Sequence, residues 1–312
     1  MPTCAWVVTN LKPEVDLVPC QPVSRIVLEL LGQPWVAQRP PVVLATDRDH
    51  PRPRFLATLE DTALNMPEDR LPVYDGLIRD VSWKTAGRAV QVAVEMVFSA
   101  RIRQIWEPGV PARLGLELER RAITEIIAGR RIGLDPGHGG RDAGAVGAAY
   151  RECEVVLKIS CFLSRWLAAH RAVCVLSRED DVEVPLETRL RLMRRERLDA
   201  YIGLHTGSDT DRRRRGTAVL YRRDKASERL ARYLQAAILT KNPFLGNGGI
   251  HPSDETMLSS LRAPAVIVLP EYITHHLGEG LLRAVDFQER IAQSLFDGLT
   301  AYFRHSGAVP SG

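Results

Sequence analysis

Four residues stand out for the chemistry they could do together: His138, Glu152, His205 and Glu271. His138 sits in "RRIGLDPGHGGRDAGAVG", residues 130–147, where an apolar run breaks into Asp-Pro-Gly-His-Gly-Gly. Glycines admit backbone dihedrals closed to other residues and proline fixes φ, so the segment reads as a shaped turn that displays its histidine. His205 closes "AYIGLH", Glu271 follows "AVIVLP", and Glu152 opens the amphipathic run after the glycine turn. Two imidazoles and a carboxylate on a rigid frame are the donor set of a catalytic zinc that keeps one position open for water. A further carboxylate could accept that water's proton. Taken singly, each histidine reads as a hydrogen-bonded structural residue. Their joint placement at strand ends favours the metal.

The elements that must position these residues follow from hydrophobic period. Arg131–Leu134 reads as a strand, and Val156, Ile159, Leu163, Trp166 and Leu167 mark one face of a helix. "AVCVLSR" (172–178) is a strand, and Pro185 opens a helix with Leu186, Leu190 and Met193 at i, i+4, i+7. "AYIGLH" (200–205) and "TAVLY" (217–221) are strands, followed by a helix carrying Leu230, Leu234 and Ile238. "AVIVL" (265–269) is a buried strand, and Phe287, Ile291, Leu295, Leu299 and Tyr302 lie along a last helix. This order predicts an α/β fold, a mostly parallel sheet flanked by helices. Sites in such sheets lie beyond the carboxyl ends of the strands, where His138, His205 and Glu271 fall.

Before residue 125 the pattern has period two. Val90, Val92, Val94 and Met96 alternate with their neighbours, as do Leu114, Leu116 and Leu118, and "RIVLEL" (25–30) and "PPVVLAT" (40–46) look similar. Half-buried strands produce this alternation. The reading is a smaller β-rich N-terminal domain over residues 1–125, ahead of a catalytic domain over 130–305. It holds one histidine, His50 in "DRDHPRPR", which reads as part of a surface loop, and no catalytic constellation.

Composition sets the remaining bounds. A chain of 312 residues, 45% hydrophobic and 26% charged, has room for two soluble domains. No apolar run approaches the ~18 residues of a transmembrane segment, and the start, "MPTCAWVVTNLKPE", shows no basic and apolar secretory leader. Cys4, Cys20, Cys153, Cys161 and Cys174 match no CxxC pattern and are read as reduced thiols. The formal net charge is +4, with Arg212–Arg215 forming a run beside Arg222, Arg223 and Lys225. Such a cluster attracts polyanions. Without aromatic interleaving or a recognition motif it reads as a solvated loop, and nucleic acid is not an expected partner.

The stretch "GLDPGHGGRDAGAVG…YRECEVVLKI" resembles the opening of the zinc-dependent N-acetylmuramoyl-L-alanine amidases, the type-3 amidase catalytic domain. The resemblance continues in order through "LSREDDVEVPLETRL" (176–190), "DAYIGLHTGS" (199–208), "GTAVLY" (216–221) and "PAVIVLPEYITH" (264–275), covering roughly residues 130–303. It implies zinc held by His138, Glu152 and His205, with Glu152 preferred over Glu154 because it stands five residues before Leu157. The implied substrate is peptidoglycan, cut at the amide between N-acetylmuramic acid and the L-alanine of the stem peptide by zinc-activated water. The implied location is the cell wall or another extracytoplasmic site. Three departures matter. The family's Ser-Ile-His-x-Asn is Gly203-Leu204-His205-Thr206-Gly207 here. The family's catalytic glutamate position falls on Leu269, leaving Glu271, two residues on, as the expected general base. The expected leader is not seen. By analogy the N-terminal domain resembles the β-rich wall-targeting domains that precede such amidases.

Two other readings follow from the same residues. A catalytically inactive, amidase-like peptidoglycan-binding module would keep the groove and lack a base, as Leu269 suggests. A different zinc amidohydrolase or carboxypeptidase ranks lower, since such enzymes use a His-x-x-Glu pair and His138 is followed three residues on by Arg141. His251, His275 and His276 are alternative ligands on type alone, the adjacent pair lying in "THHLGEG".

Overall fold

The computed structural model describes residues 4–18, 21–33 and 38–306. The chain divides into two compact units, Met1–Glu125 and Ile126–Gly312. Cys4, Cys153, Cys161 and Cys174 are free thiols; Cys20 lies outside the described residues.

The first unit contains β1 (Trp6–Asp16), β2 (Val23–Gly32), β3 (Val42–Thr46), β4 (Arg54–Glu60), β5 (Thr62–Leu64), β6 (Asp69–Pro72), β7 (Ile78–Ala86), β8 (Ala89–Met96), β9 (Ile102–Glu107) and β10 (Ala112–Glu119). They form two five-stranded sheets, β5-β1-β2-β10-β9 and β3-β4-β8-β7-β6. Pairing is antiparallel except between β1 and β5. The period-two residues land as alternation requires: Val90, Val92, Val94, Leu114, Leu116 and Leu118 are fully buried. A short helix, α1 (Arg121–Ile127), follows.

In the second unit the order is β11 (Arg131–Pro136), α2 (Glu152–Ala169), β12 (Val173–Leu176), α3 (Leu186–Arg195), β13 (Ala200–Leu204), β14 (Thr217–Arg222), α4 (Lys225–Lys241), β15 (Asn247–Ser253), α5 (Thr256–Ser259), β16 (Ala265–Leu269), α6 (His276–Arg283) and α7 (Val285–Ser306). One sheet runs β12-β11-β13-β16-β14-β15. The four strands from β12 to β16 in that order are mutually parallel, β14 runs antiparallel to β16, and β15 pairs parallel to β14. The sheet is therefore α/β and mixed at one edge.

Side-chain alternation sorts the helices onto its two faces. Tyr201, Ala265 and Ile267 pack with Leu190 and Met193 of α3 and with Leu258 and Leu261 at α5. Helices α2, α4 and α7 pack together and against β11, β14 and β16 on the other face, with Ile132, Leu134, Val266 and Val268 fully buried. Each such aliphatic side chain contributes about 1.5–3 kcal/mol by leaving water. That makes the sheet a stiff platform for the loops at its carboxyl edge.

Candidate metal centre

Proline and glycine end β11 by design: Gly137 N–H donates to Leu204 O, keeping the ladder for one more step before the chain turns. His138 then adopts φ 60°, a left-handed conformation that costs energy for a residue with a Cβ. Two buried arginines hold that turn by its carbonyls. Arg178 donates to Pro136 O at 3.0 Å and Gly137 O at 2.9 Å, and Arg189 donates to Pro136 O at 2.8 Å and to His138 O. Arg189 also pairs with buried Asp135 at 2.8 Å, which in turn accepts from Tyr201 Oη at 2.8 Å. The turn is thus set by charge-assisted bonds inside the domain.

Glu152 is the first residue of α2, and no side chain caps that helix. Its free N–H groups are taken by the preceding loop instead: Glu152 N–H donates to Ala145 O at 2.9 Å and Cys153 N–H to Ala143 O at 3.2 Å. The Glu152 carboxylate, in a residue only 3% exposed, accepts from Ala145 N–H and Thr206 N–H, both at 2.8 Å. Burial pushes its pKa up, but the His138 and His205 imidazoles and the Ala145 N–H outweigh burial and hold it far below the usual carboxylate range.

The three sequence-derived ligands converge. His138 Nε2 lies 3.5 Å from Glu152 Oε2, and His205 Nδ1 lies 3.0 Å from Glu152 Oε1. One donor atom from each residue falls within 4.8 Å of the other two. Ligand bonds of about 2.0–2.2 Å around one ion require separations of this order. The donors are also correctly presented. His138 Nδ1 is bonded to Asp142 Oδ2 at 2.8 Å, so Nε2 is the free lone pair facing Glu152. Glu152 and, to a lesser degree, Asp142 raise the His138 pKa against the opposing effect of burial. Two glycines make room: a Cβ at Gly144 would sit 2.7 Å from Glu152 Oε2, and one at Gly137 would sit 2.6 Å from His205 Nδ1. The residues fit a divalent metal.

Glu271 is placed differently. His205 N–H donates to Val268 O, which puts His205 alongside Leu269, yet Gly207 bridges to Tyr272. Two residues on one side thus match three on the other. Pro270 cannot donate the N–H that would continue the ladder, and the extra residue accumulates there. Glu271 is fully buried; its Oε1 accepts from Gly216 N–H and, at 2.9 Å, from Tyr272 N–H, while Oε2 has no partner. Leu269 packs against the α3–α5 cluster.

The other histidines weighed above are accounted for. His251 bonds Gly248 O, His275 caps α6 by accepting from Gly278 N–H, and His276 stacks on His275. His50 bonds its own loop at Arg52. Sequence reasoning missed Asp142, Arg178 and Arg189 as supports. All three stand in the quoted segments, but only their partners, and for the two arginines their burial, disclose the work they do.

The family model described as N-acetylmuramoyl-L-alanine amidase matches residues 132–301, more than half of the chain. The chain belongs to this family. It is accordingly a hydrolase of the amidase class. It is 28% identical over 213 residues to the probable cell wall amidase LytH of Staphylococcus saprophyticus, covering 67% of this chain and 71% of that protein. Its likeness to the N-acetylmuramoyl-L-alanine amidase LytC of Bacillus subtilis is 28% over 185 residues, 58% of this chain but 37% of LytC. Among solved structures, the amidase AmiC2 of Nostoc punctiforme is similar with TM-score 0.55 and 26% identity, over 57% of this chain and 99% of that one. The catalytic domain of CwlV from Bacillus (Paenibacillus) polymyxa is similar with TM-score 0.54 and 26% identity, over 56% of this chain and 98% of that one. The family match includes His138, Glu152 and His205. No helix among the described residues is long and apolar enough to cross a membrane.

Proposed function

We propose that this amidase cleaves the amide between N-acetylmuramic acid and the L-alanine of the stem peptide, outside the cytoplasm, with Zn²⁺ held by His138, Glu152 and His205. One observation carries the reading: the two imidazoles and the Glu152 carboxylate present donor atoms within 4.8 Å of each other. When bound, zinc supplies Lewis acidity for a carbonyl and brings the pKa of water to near 7. His138 presents Nε2 because Asp142 occupies Nδ1, and Glu152 stays ionised because two imidazoles face it. The His138 and His205 side chains remain 26% and 32% exposed, which leaves them within reach of a substrate. Glu271, with Oε2 unpartnered, is the carboxylate assigned to take the proton and return it to the leaving amine. Residues 130–305 make the catalytic domain on this reading, and residues 1–125 an accessory domain that contacts the wall.

A second reading rests on Leu269 standing beside His205 and on Glu271 having no exposed surface. It is an amidase-like module that grips peptidoglycan without turning it over. The deciding experiment measures zinc content and L-alanyl-peptide release from muropeptides for the full chain, Glu271→Gln and Glu271→Ala. A glutamine still accepts both backbone N–H groups but cannot hold the proton. Loss of about 10²–10⁴ in turnover for both variants with zinc retained supports Glu271 as base. Wild-type turnover kept by Glu271→Gln removes that role from Glu271. A zinc-loaded wild type that releases nothing establishes the module reading.

A further inference from the structure

The loop from Gly144 to Arg151 determines where α2 begins, and with it the position of Glu152. Its own bonds are few: Gly147 N–H donates to Tyr150 O, and Val146 bridges to Arg151. The N–H groups of Ala148, Ala149 and Tyr150 all turn toward one carboxylate, that of Glu279 in the first turn of α6, at 2.9, 2.7 and 3.0 Å. Successive amides converging in this way form an anion-binding concavity, and here the chain fills it with its own side chain. The wrap is close, since a Cβ at Gly147 would sit 2.6 Å from Glu279 Oε1. Glu279 is 7% exposed. Burial opposes its ionisation, but the three amides and Arg283 together hold its pKa below the ordinary value. Arg283 in turn lies over the Tyr150 ring, 5.1 Å from its centroid, bracing the same loop.

We propose that Glu279 is a positioning residue for the metal centre: it locks residues 144–151 and, through them, the Glu152 carboxylate. The mechanical link is short. Ala145 N–H holds Glu152 Oε2 at 2.8 Å, and Glu152 N–H returns to Ala145 O at 2.9 Å. Movement of the loop therefore displaces the ligand. Glu279 joins α6 to a loop about 130 residues earlier in the chain, which local motif reading could not join. The inference rests on the zinc reading above.

The test uses the full-length apo chain as wild type, Glu279→Ala, Glu279→Gln and Ile291→Val, the last a mild core change in α7. Zinc affinity is read by competition with a chromophoric chelator, and hydrogen exchange is followed at the amides of 145–151. Glu279→Ala should weaken zinc by at least about tenfold and accelerate exchange at 148–150 by a similar factor. Glu279→Gln should fall between, because its amide oxygen still accepts two of the N–H groups. Ile291→Val should leave both readouts within about twofold of wild type, separating a positioning effect from general loss of stability. If Glu279→Ala does not fold, Glu279→Gln carries the test. Zinc affinity unchanged in the glutamate variants overturns the proposal even where exchange rises. A wild type that binds no zinc sinks the metal reading itself, and the proposal falls with it.

Discussion

In the N-terminal unit, Glu117 is 2% exposed and lies between Arg25 and Arg103; in the C-terminal unit, Glu152 is 3% exposed and lies between two histidines. Burial is equal, and the partners make the difference. A guanidinium is permanently charged and has no lone pair, so its pairing with Glu117 is closed: the carboxylate is neutralised and the strands are stapled across β2, β9 and β10. An imidazole can give up its proton to expose a lone pair, which a guanidinium cannot, so the pairing with Glu152 is open to a cation. The same contrast appears at Arg120 and Asp75 in the first unit, a buried pair at 3.5 Å. In the second unit the buried arginines Arg178 and Arg189 bind backbone carbonyls of the His138 turn. A buried carboxylate is thus no marker of a site until its partners are known.

The sharpest break of this comparison is Glu152→Ala. It should lower bound zinc to below about one tenth of an equivalent, read by metal analysis, and reduce muropeptide release by at least about a thousandfold. Retained zinc would refute the ligand assignment. A smaller effect is expected at Asp142, which touches His138 but no metal. Asp142→Asn should weaken zinc about 10–100-fold in chelator competition while leaving the unfolding midpoint within a few degrees of wild type. Equal affinity would show that the Nδ1 bond does not fix the imidazole. The smallest effect on activity is expected in the first unit. Glu117→Gln should leave peptide release at pH 7 within about twofold of wild type.

The same variant should alter acid stability. Burial pushes the Glu117 pKa up, but Arg25 and Arg103 more than offset this and hold it below its ordinary value. A depressed carboxylate lends stability that is present above the unfolded pKa of about 4.3 and is lost as pH falls through the folded value. Melting temperature measured from pH 7 downward should therefore fall less steeply in Glu117→Gln. Since Arg103 is largely exposed, water screens the pair and the difference should be modest. Identical slopes would mean that the staple contributes nothing.

Much of this was written locally. The spacing of Leu230, Leu234 and Ile238 marked α4, and the alternation at 90–96 and 114–118 marked strands, because burial of one face imposes a period on the residues themselves. Asp-Pro-Gly-His-Gly-Gly declared a displayed histidine, since few backbones other than such a turn need that composition. What the chain alone left open depends on pairing between distant segments. The antiparallel course of β14, and the existence of β15 in a glycine-rich stretch, follow from which strand each one meets. The setting of Glu271 was decided at Pro270, where a missing N–H breaks a ladder only if β13 lies alongside. Glu279 reads in isolation as a carboxylate well into the loop that follows "AVIVLP". It becomes a clamp because the fold brings three amides to it from 130 residues away. Residue type fixes which bonds a group can make; only the tertiary structure decides which partners are near enough to make them.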